Sequence, residues 1–405
     1  MLRRHATRLA AAATIALAVV GPATGTAHAS GTFFGTVSKD AFAGDDTYLE
    51  HATQRQQQAG IGLLRQTFDW EQIEPSRGVF DLTATDRFVL AAARQGIEVM
   101  PLLFGEPAWA TSRPAGVSAR ATYPPRHVDD IVPFAEAVAR RYGPGGTLWT
   151  EHPSVPPTPT RFYQVWNEPN HPSYWAGRPD PHAFARLLAA AARALRRAQP
   201  AARIVSAGLA KSRHGIAPDR YLRELYRAGA RRSVDIVAAN IYSPSVAGVR
   251  RQAEGVRAAL PRRARETPLW ITETGWASGG PYARGRTVDT HRQARLVRDT
   301  MTMLWHERRR LRLRGVVYYA WRDNPVYPGG KDYWGLHTGL VDMSHQDKPA
   351  LSAFRDVARS PSISSGCAAG RPLQSRSRGR FFEMPCAQCG QTAGACRASH
   401  SPSEL

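Results

Sequence analysis

The chain has 405 residues, 42 % of them hydrophobic, which is enough for a large buried core and excludes a disordered or fibrous protein. A formal net charge of +21 admits an acidic-polymer or nucleic-acid partner. No nucleic-acid or nucleotide motif accompanies that charge, and an arginine-rich, lysine-poor composition needs no such partner, so none is expected.

The first 29 residues read as a secretory signal peptide. Arg3, Arg4 and Arg8 form a basic start, Leu9 to Val20 a short apolar run, and Ala27-His28-Ala29 a small-residue cleavage site. The run is too short to span a bilayer and nothing later is apolar enough, so the expectation is a secreted protein without stable membrane insertion. Arg3-Arg4 leaves the twin-arginine export route open.

Beyond Ala29 one unit repeats: a short apolar run, a polar loop, then an amphipathic helix. The runs lie at Phe33–Val37, Ile61–Arg65, Glu98–Phe104, Phe162–Trp166, Arg203–Ala207, Val234–Ile241, Leu269–Thr272 and Gly315–Ala320. They are rich in β-branched and aromatic residues and poor in charge, as strands covered on both faces must be. Between them, Phe184, Leu188, Ala191 and Leu195 form one helical stripe, with Pro181 near its start and Pro200 at its end. Val128 to Tyr142 and Thr290 to Leu311 read as helices too, the latter closed by Arg308-Arg309-Arg310 at its C-terminus. Eight such units predict an α/β fold, a (β/α)8 barrel over residues 30–360. An open doubly wound sheet is the alternative, weakened by the lack of a Gly-rich phosphate loop after the first run.

From about Ser360 the pattern stops, and residues 361–405 read as a flexible tail rich in Ser, Arg and Gly. All four cysteines lie there: Cys367, Cys386, Cys389 and Cys396. Half a zinc site, two disulfides and incidental cysteines are all compatible with the spacing.

In a barrel the chemistry sits at the C-terminal ends of the strands. The fourth run ends in Asn167-Glu168-Pro169-Asn170 and the seventh in Glu273-Thr274-Gly275-Trp276. Two carboxylates on one rim are what glycosidic bond cleavage needs: one protonates the departing oxygen, the other attacks the anomeric carbon or activates water. A single strand-end glutamate would read as a rim salt bridge; two, each beside a tryptophan, point to chemistry. No metal site or cofactor is expected, since the histidines are scattered, and His171 reads as a loop or substrate contact.

Val165-Trp166-Asn167-Glu168-Pro169-Asn170 resembles the acid/base motif of the large glycoside hydrolase clan with two strand-end glutamates, and Ile271-Thr272-Glu273-Thr274-Gly275-Trp276 its nucleophile motif. Arg65-Gln66-Thr67-Phe68-Asp69-Trp70, followed by Gly78-Val79-Phe80-Asp81, resembles the clan's second-strand region. The likeness is greatest to family 39, then to the cellulase-like family 5, and spans about Phe33 to Val357. It implies Glu168 as general acid/base, Glu273 as nucleophile and Asn167 as a contact of the sugar 2-hydroxyl. It also implies that Arg65 keeps Glu273 charged, that Tyr242 donates to Glu273, and that Trp321 floors the sugar. Trp276 and Trp109 join them as rim aromatics of the substrate site. The clan often has a histidine two positions before the tyrosine; this chain has Asn240, which can still hydrogen-bond.

The function implied is a secreted retaining hydrolase of a polysaccharide or oligosaccharide. A transglycosylase on the same glutamates and a catalytically silent carbohydrate-binding barrel are the other readings. Loop aromatics after the third, fourth, seventh and eighth runs (Trp109, Tyr123, Tyr174, Trp175, Trp276, Tyr282, Tyr327, Tyr333 and Trp334) lead to the expectation of an open cleft and internal cutting. Oligomeric state is not legible in the sequence.

Overall fold

The strands pair in parallel around a ring whose two ends meet. In the computed structural model, which describes residues 33–360 apart from 43, 119–120 and 328, the strands are β1 (Phe34–Thr36), β2 (Leu63–Asp69), β3 (Glu98–Phe104), β4 (Phe162–Val165), β5 (Arg203–Val205), β6 (Leu209–Ala210), β7 (Val237–Asn240), β8 (Leu269–Thr274) and β9 (Leu313–Tyr318). They lie in the order β5-β4-β3-β2-β1-β9-β8-β7-β6. Single parallel bridges, Asn167 to Gly208 and Val205 to Ile236, join the ends of that order and close the ring. β5 and β6 are therefore the two halves of one interrupted barrel strand, the fifth of eight. The expected (β/α)8 barrel is the architecture found.

The helices alternate with the strands and cover the ring from outside: α1 (Asp46–Gln58), α2 (Trp70–Ile73), α3 (Thr83–Arg94), α4 (Ile131–Tyr142), α5 (Thr147–Glu151), α6 (Pro181–Ala198), α7 (Pro218–Arg227), α8 (Val246–Ala259), α9 (Thr290–Glu307) and α10 (Pro349–Ala358). Helix α6 shows why the sequence folds so. The Asp180 side chain accepts from the backbone N–H groups of His182 and Ala183, Pro181 occupies the first turn, and Phe184, Leu188, Ala191 and Leu195 are fully buried. Helix α9 stops at Glu307, earlier than the pattern suggested; beyond it Arg308 stacks on Trp305 at 3.8 Å and Arg310 pairs with Glu254 at 2.7 Å.

Two apolar layers result. One lies between strands and helices. The other fills the barrel: Leu63, Met100, Phe162, Val205, Ala238, Trp270 and Val317, one or more from most strands. Trp270 is its plug, edge-on to Phe162 at 5.1 Å. Gly315 makes room for it, since a Cβ there would stand 2.7 Å from the indole nitrogen. The plug closes the N-terminal end and leaves the C-terminal end open for polar side chains.

The signal peptide and the four cysteines lie outside the described residues. So does the tail, apart from the backbone of two antiparallel strands, Ser375–Ser377 and Arg380–Phe382. Among the described residues no helix is long and apolar enough to cross a membrane.

Trp270→Ala empties the middle of the barrel, and the loss expected is about 3–5 kcal/mol. Urea unfolding with an unchanged slope measures it; a loss below about 1 kcal/mol would show that the interior is not packed around this side chain.

Candidate active site

Strand alternation decides which side chains enter the barrel mouth. On β4, Phe162 lies in the barrel interior and Gln164 follows it inward; on β7, Ala238 lies inside and Asn240 is next. On β8, Trp270 and Thr272 point inward, so strict alternation would turn Glu273 outward with Ile271. A bulge prevents this. Ala239 is opposite Ile271 but Asn240 is opposite Glu273, and against β9 the pairing steps from Ile271–Val316 to Thr274–Tyr318. One extra residue in β8 thus brings Thr272 and Glu273 both to the inside, the re-aiming that bulges provide beside functional sites.

The end of β4 is shaped differently. Trp166 (φ 67°) and Glu168 (φ 42°) both have left-handed backbones, costly for non-glycine residues and concentrated at functional sites. The turn is held by the Trp166 indole donating to the Tyr174 carbonyl at 2.7 Å and by the Glu168 N–H donating to the Gly208 carbonyl at 3.1 Å. Asn167 and Glu168 then both face the mouth.

Glu273 is buried and doubly held. Arg65 donates from Nη1 to Oε1 at 2.9 Å, and the Tyr242 hydroxyl donates to Oε2 at 2.8 Å. The same guanidinium donates from Nε to Gln164 at 2.6 Å and from Nη2 to Asn167 Oδ1 at 3.0 Å, so all three of its nitrogens are used. Burial and the Glu273 charge push the Tyr242 phenol well above its usual value, which keeps it a donor.

Glu168 has the opposite surroundings. Burial, and then the charge of Glu273, raise its pKa to about 8, against the opposing pull of a hydrogen bond from Asn240 and the charges of Arg65 and Arg286. Asn240 Nδ2 donates to Glu168 Oε1 at 2.8 Å and to Asn167 Oδ1 at 3.3 Å, while its own Oδ1 accepts from Thr272 at 2.8 Å. Gly208 leaves the space for this amide: a Cβ there would lie 2.2 Å from Asn240 Oδ1. Two carboxyls in one mouth are thereby split into one that keeps a proton at neutral pH and one buried against a cation.

The structure thus brings Arg65, Asn167, Glu168, Asn240, Tyr242 and Glu273 together. It does not bring the three tryptophans. Trp321 is 2 % exposed and lies beneath Arg55 of α1, on the helix side of the ring. Trp276 is fully buried, its indole donating to the Ser243 carbonyl at 2.7 Å. Trp109 packs on Trp70 and under Arg77 and donates to the Glu74 carbonyl at 2.9 Å. Each binds its loop to the barrel, so none of the three serves as a floor. The aromatic walls are instead Tyr174, Tyr319, Tyr333 and Trp334, which line a cavity of about 620 Å³ with both glutamates. Tyr319 and Arg286 were not expected: Tyr319 lies one residue past β9, and Arg286 in an irregular loop without periodicity. His171 lines the same cavity, and burial lowers its pKa. Among the described residues no group of three or more His, Cys, Asp or Glu could hold a metal ion.

A family 39 glycoside hydrolase from the gut symbiont Bacteroides cellulosilyticus superposes with a TM-score of 0.61 at 18 % identity, covering 82 % of this chain and 64 % of that one. The barrel is one that solved glycoside hydrolases share. A GH5_18 structure from Streptomyces cattleya in complex with GlcNAc gives 0.60 at 18 % identity, covering 84 % and 82 %. An exo-β-1,4-mannosidase from an Opitutaceae bacterium gives 0.58 at 17 %, covering 82 % and 59 %. The chain therefore spans under two thirds of the family 39 structure and of the mannosidase. No protein-family model and no curated protein matches the sequence.

Arg65→Met strands a buried carboxylate, and a loss of about 3–5 kcal/mol is expected. Adding Glu273→Gln removes the stranded charge and should restore most of it. A denaturant-based double-mutant cycle tests this; additive losses would show that the pair is not coupled.

Proposed function

We propose that this chain is a secreted retaining glycoside hydrolase acting on a polysaccharide or oligosaccharide. The observation that carries the proposal is the division of the two carboxyls: Glu168 retains its proton to about pH 8, while Glu273 is held by a guanidinium and a phenol. General acid and nucleophile need those two states at one pH. The shared barrel and the rim position of both residues support the same assignment.

In the first half-reaction Glu273 attacks the anomeric carbon, while the Glu168 proton passes to the departing glycosidic oxygen. The carboxylate charge is consumed as the ester forms, and Arg65 and Tyr242 keep it oriented along the way. In the second half-reaction Glu168, now ionised, takes a proton from water, which attacks the same carbon and releases Glu273. Asn167, fixed by Arg65 and Asn240, is placed to meet a sugar hydroxyl. A transglycosylase differs only in the acceptor that replaces water. A silent binding barrel would have no use for a protonated glutamate opposite one paired with a buried guanidinium.

The cleft supports internal cutting. A second cavity of about 530 Å³ adjoins the first and shares Ser173, Tyr174 and Tyr333 with it, so the rim offers room on both sides of those side chains. Early digests of a polysaccharide substrate should yield a ladder of oligosaccharides; monosaccharide alone from the outset would refute internal cutting.

Activity should fall as pH rises through about 8, because ionised Glu168 has no proton to give. With a nitrophenyl glycoside, whose leaving group needs no proton, Glu168→Ala should lose this alkaline limb and be rescued by azide to a glycosyl azide of retained configuration. Glu273→Gln should be nearly inactive on every substrate. Azide rescue of neither variant would sink the assignment of roles.

A further inference from the structure

The cavity around the two glutamates is otherwise cationic. Besides Glu168 and Glu273 its walls hold Lys211, Arg213 and Arg286, with His171 and His214, and no other carboxylate. Many arginines of the barrel body lie in ion pairs with Asp or Glu, among them the buried Arg65 and the partly buried Arg322. Arg286 is half-buried in the cavity wall: its guanidinium lies 4.5 Å from the Trp334 ring and 5.2 Å from the Tyr242 ring, and among the described residues no hydrogen bond or ion pair holds that guanidinium. Lys211 and Arg213 are exposed at the mouth and equally unpaired among the described residues. The adjoining cavity has the opposite character. Asp69, Glu71 and Glu106 line it against Arg113 and Lys331.

We propose that the substrate is an anionic glycan, and that Lys211, Arg213 and Arg286 receive an anionic group, a uronate carboxylate or a sulfate ester, in the sugar next to the scissile bond. The inference rests on the hydrolase reading and adds the substrate's charge. It also assigns a side. Residues 210–214 follow β6, the strand segment whose Gly208 carbonyl accepts from the Glu168 N–H. The basic loop therefore borders the acid/base glutamate, which faces the departing oxygen, and the charged sugar belongs to the leaving half. An anion at Arg286 restores the interactions that burial removes from that guanidinium and that ring stacking replaces only in part. In the acidic cavity the same group would be repelled, so charge sets the direction in which the chain lies.

The test uses matched polymers. Oligosaccharides of hyaluronan and polygalacturonate are compared with their carboxyl-reduced forms, and of chondroitin sulfate with its desulfated form, by titration calorimetry at physiological salt on the catalytically silent Glu273→Gln protein. At least one native form should bind tenfold or more tightly than its counterpart lacking the carboxylate or the sulfate; whether reduction or desulfation abolishes the preference identifies the group. Lys211→Gln with Arg213→Gln should erase most of that ratio. Removing the same charge from the far side, Arg231→Gln with Arg232→Gln, should leave it. Equal binding of every native form and its carboxyl-reduced or desulfated counterpart, binding of none, or equal loss in both double variants would overturn the proposal. A preserved preference without turnover of any form by the unmutated protein would refute the hydrolase reading alone.

Discussion

Everything at the mouth of this barrel depends on how one buried carboxylate is held. Glu273 is buried, and a carboxylate charge taken out of water is costly unless it is paired and hydrogen-bonded. Arg65 supplies the charge and Tyr242 a second hydrogen bond, and each has further duties. By spending its other two nitrogens on Gln164 and Asn167, Arg65 ties β2, β4 and β8 together through one planar group. Such a pair is not a stability device on balance, since apolar side chains could fill the same space at no greater cost. Its retention is understandable if the charge is used.

The same charge tunes its neighbour. A lone glutamate in the place of Glu168 would be raised by burial alone; the negative charge of Glu273 in the same mouth raises it further. Asn240 works against both effects by donating to Glu168, yet being neutral it adds no charge. Here a charged histidine would oppose the upward shift much more strongly. An amide positions the acid while leaving its proton in place, which is a physical reason for asparagine to suit this position.

Much of this was legible in the sequence, because the signals are local. Apolar runs separated by capped helices announce a barrel, and Glu168 and Glu273 stand where two of those runs end. What periodicity could not show was the bulge at Thr272. Read with period two, Glu273 shares a face with Ile271 and would point into the helix layer; only a pairing partner, Asn240, reveals the extra residue. The fifth run, Arg203–Ala207, likewise does not show that the strand stops at Val205 and resumes at Leu209–Ala210, a break that lets Gly208 pass beneath Asn240. The tryptophans misled for a related reason. A large ring at a strand end suits a sugar floor and suits loop anchoring equally well, and Trp109, Trp276 and Trp321 each found a backbone carbonyl, a cation or a core contact instead. Arg286 had no local pattern at all, and Tyr319, though inside the eighth apolar run, had nothing to mark it as a site residue, since their place depends on loops from several strands meeting.

The central claim is that Glu273 forms a bond to the substrate while Glu168 does not. A mechanism-based 2-deoxy-2-fluoro glycoside slows the second half-reaction more than the first, so the ester should accumulate. Peptide mass spectrometry of the trapped protein should find one sugar per chain, on the peptide that contains Glu273. A label on Glu168, or no label from a compound that the protein demonstrably turns over, would contradict the account.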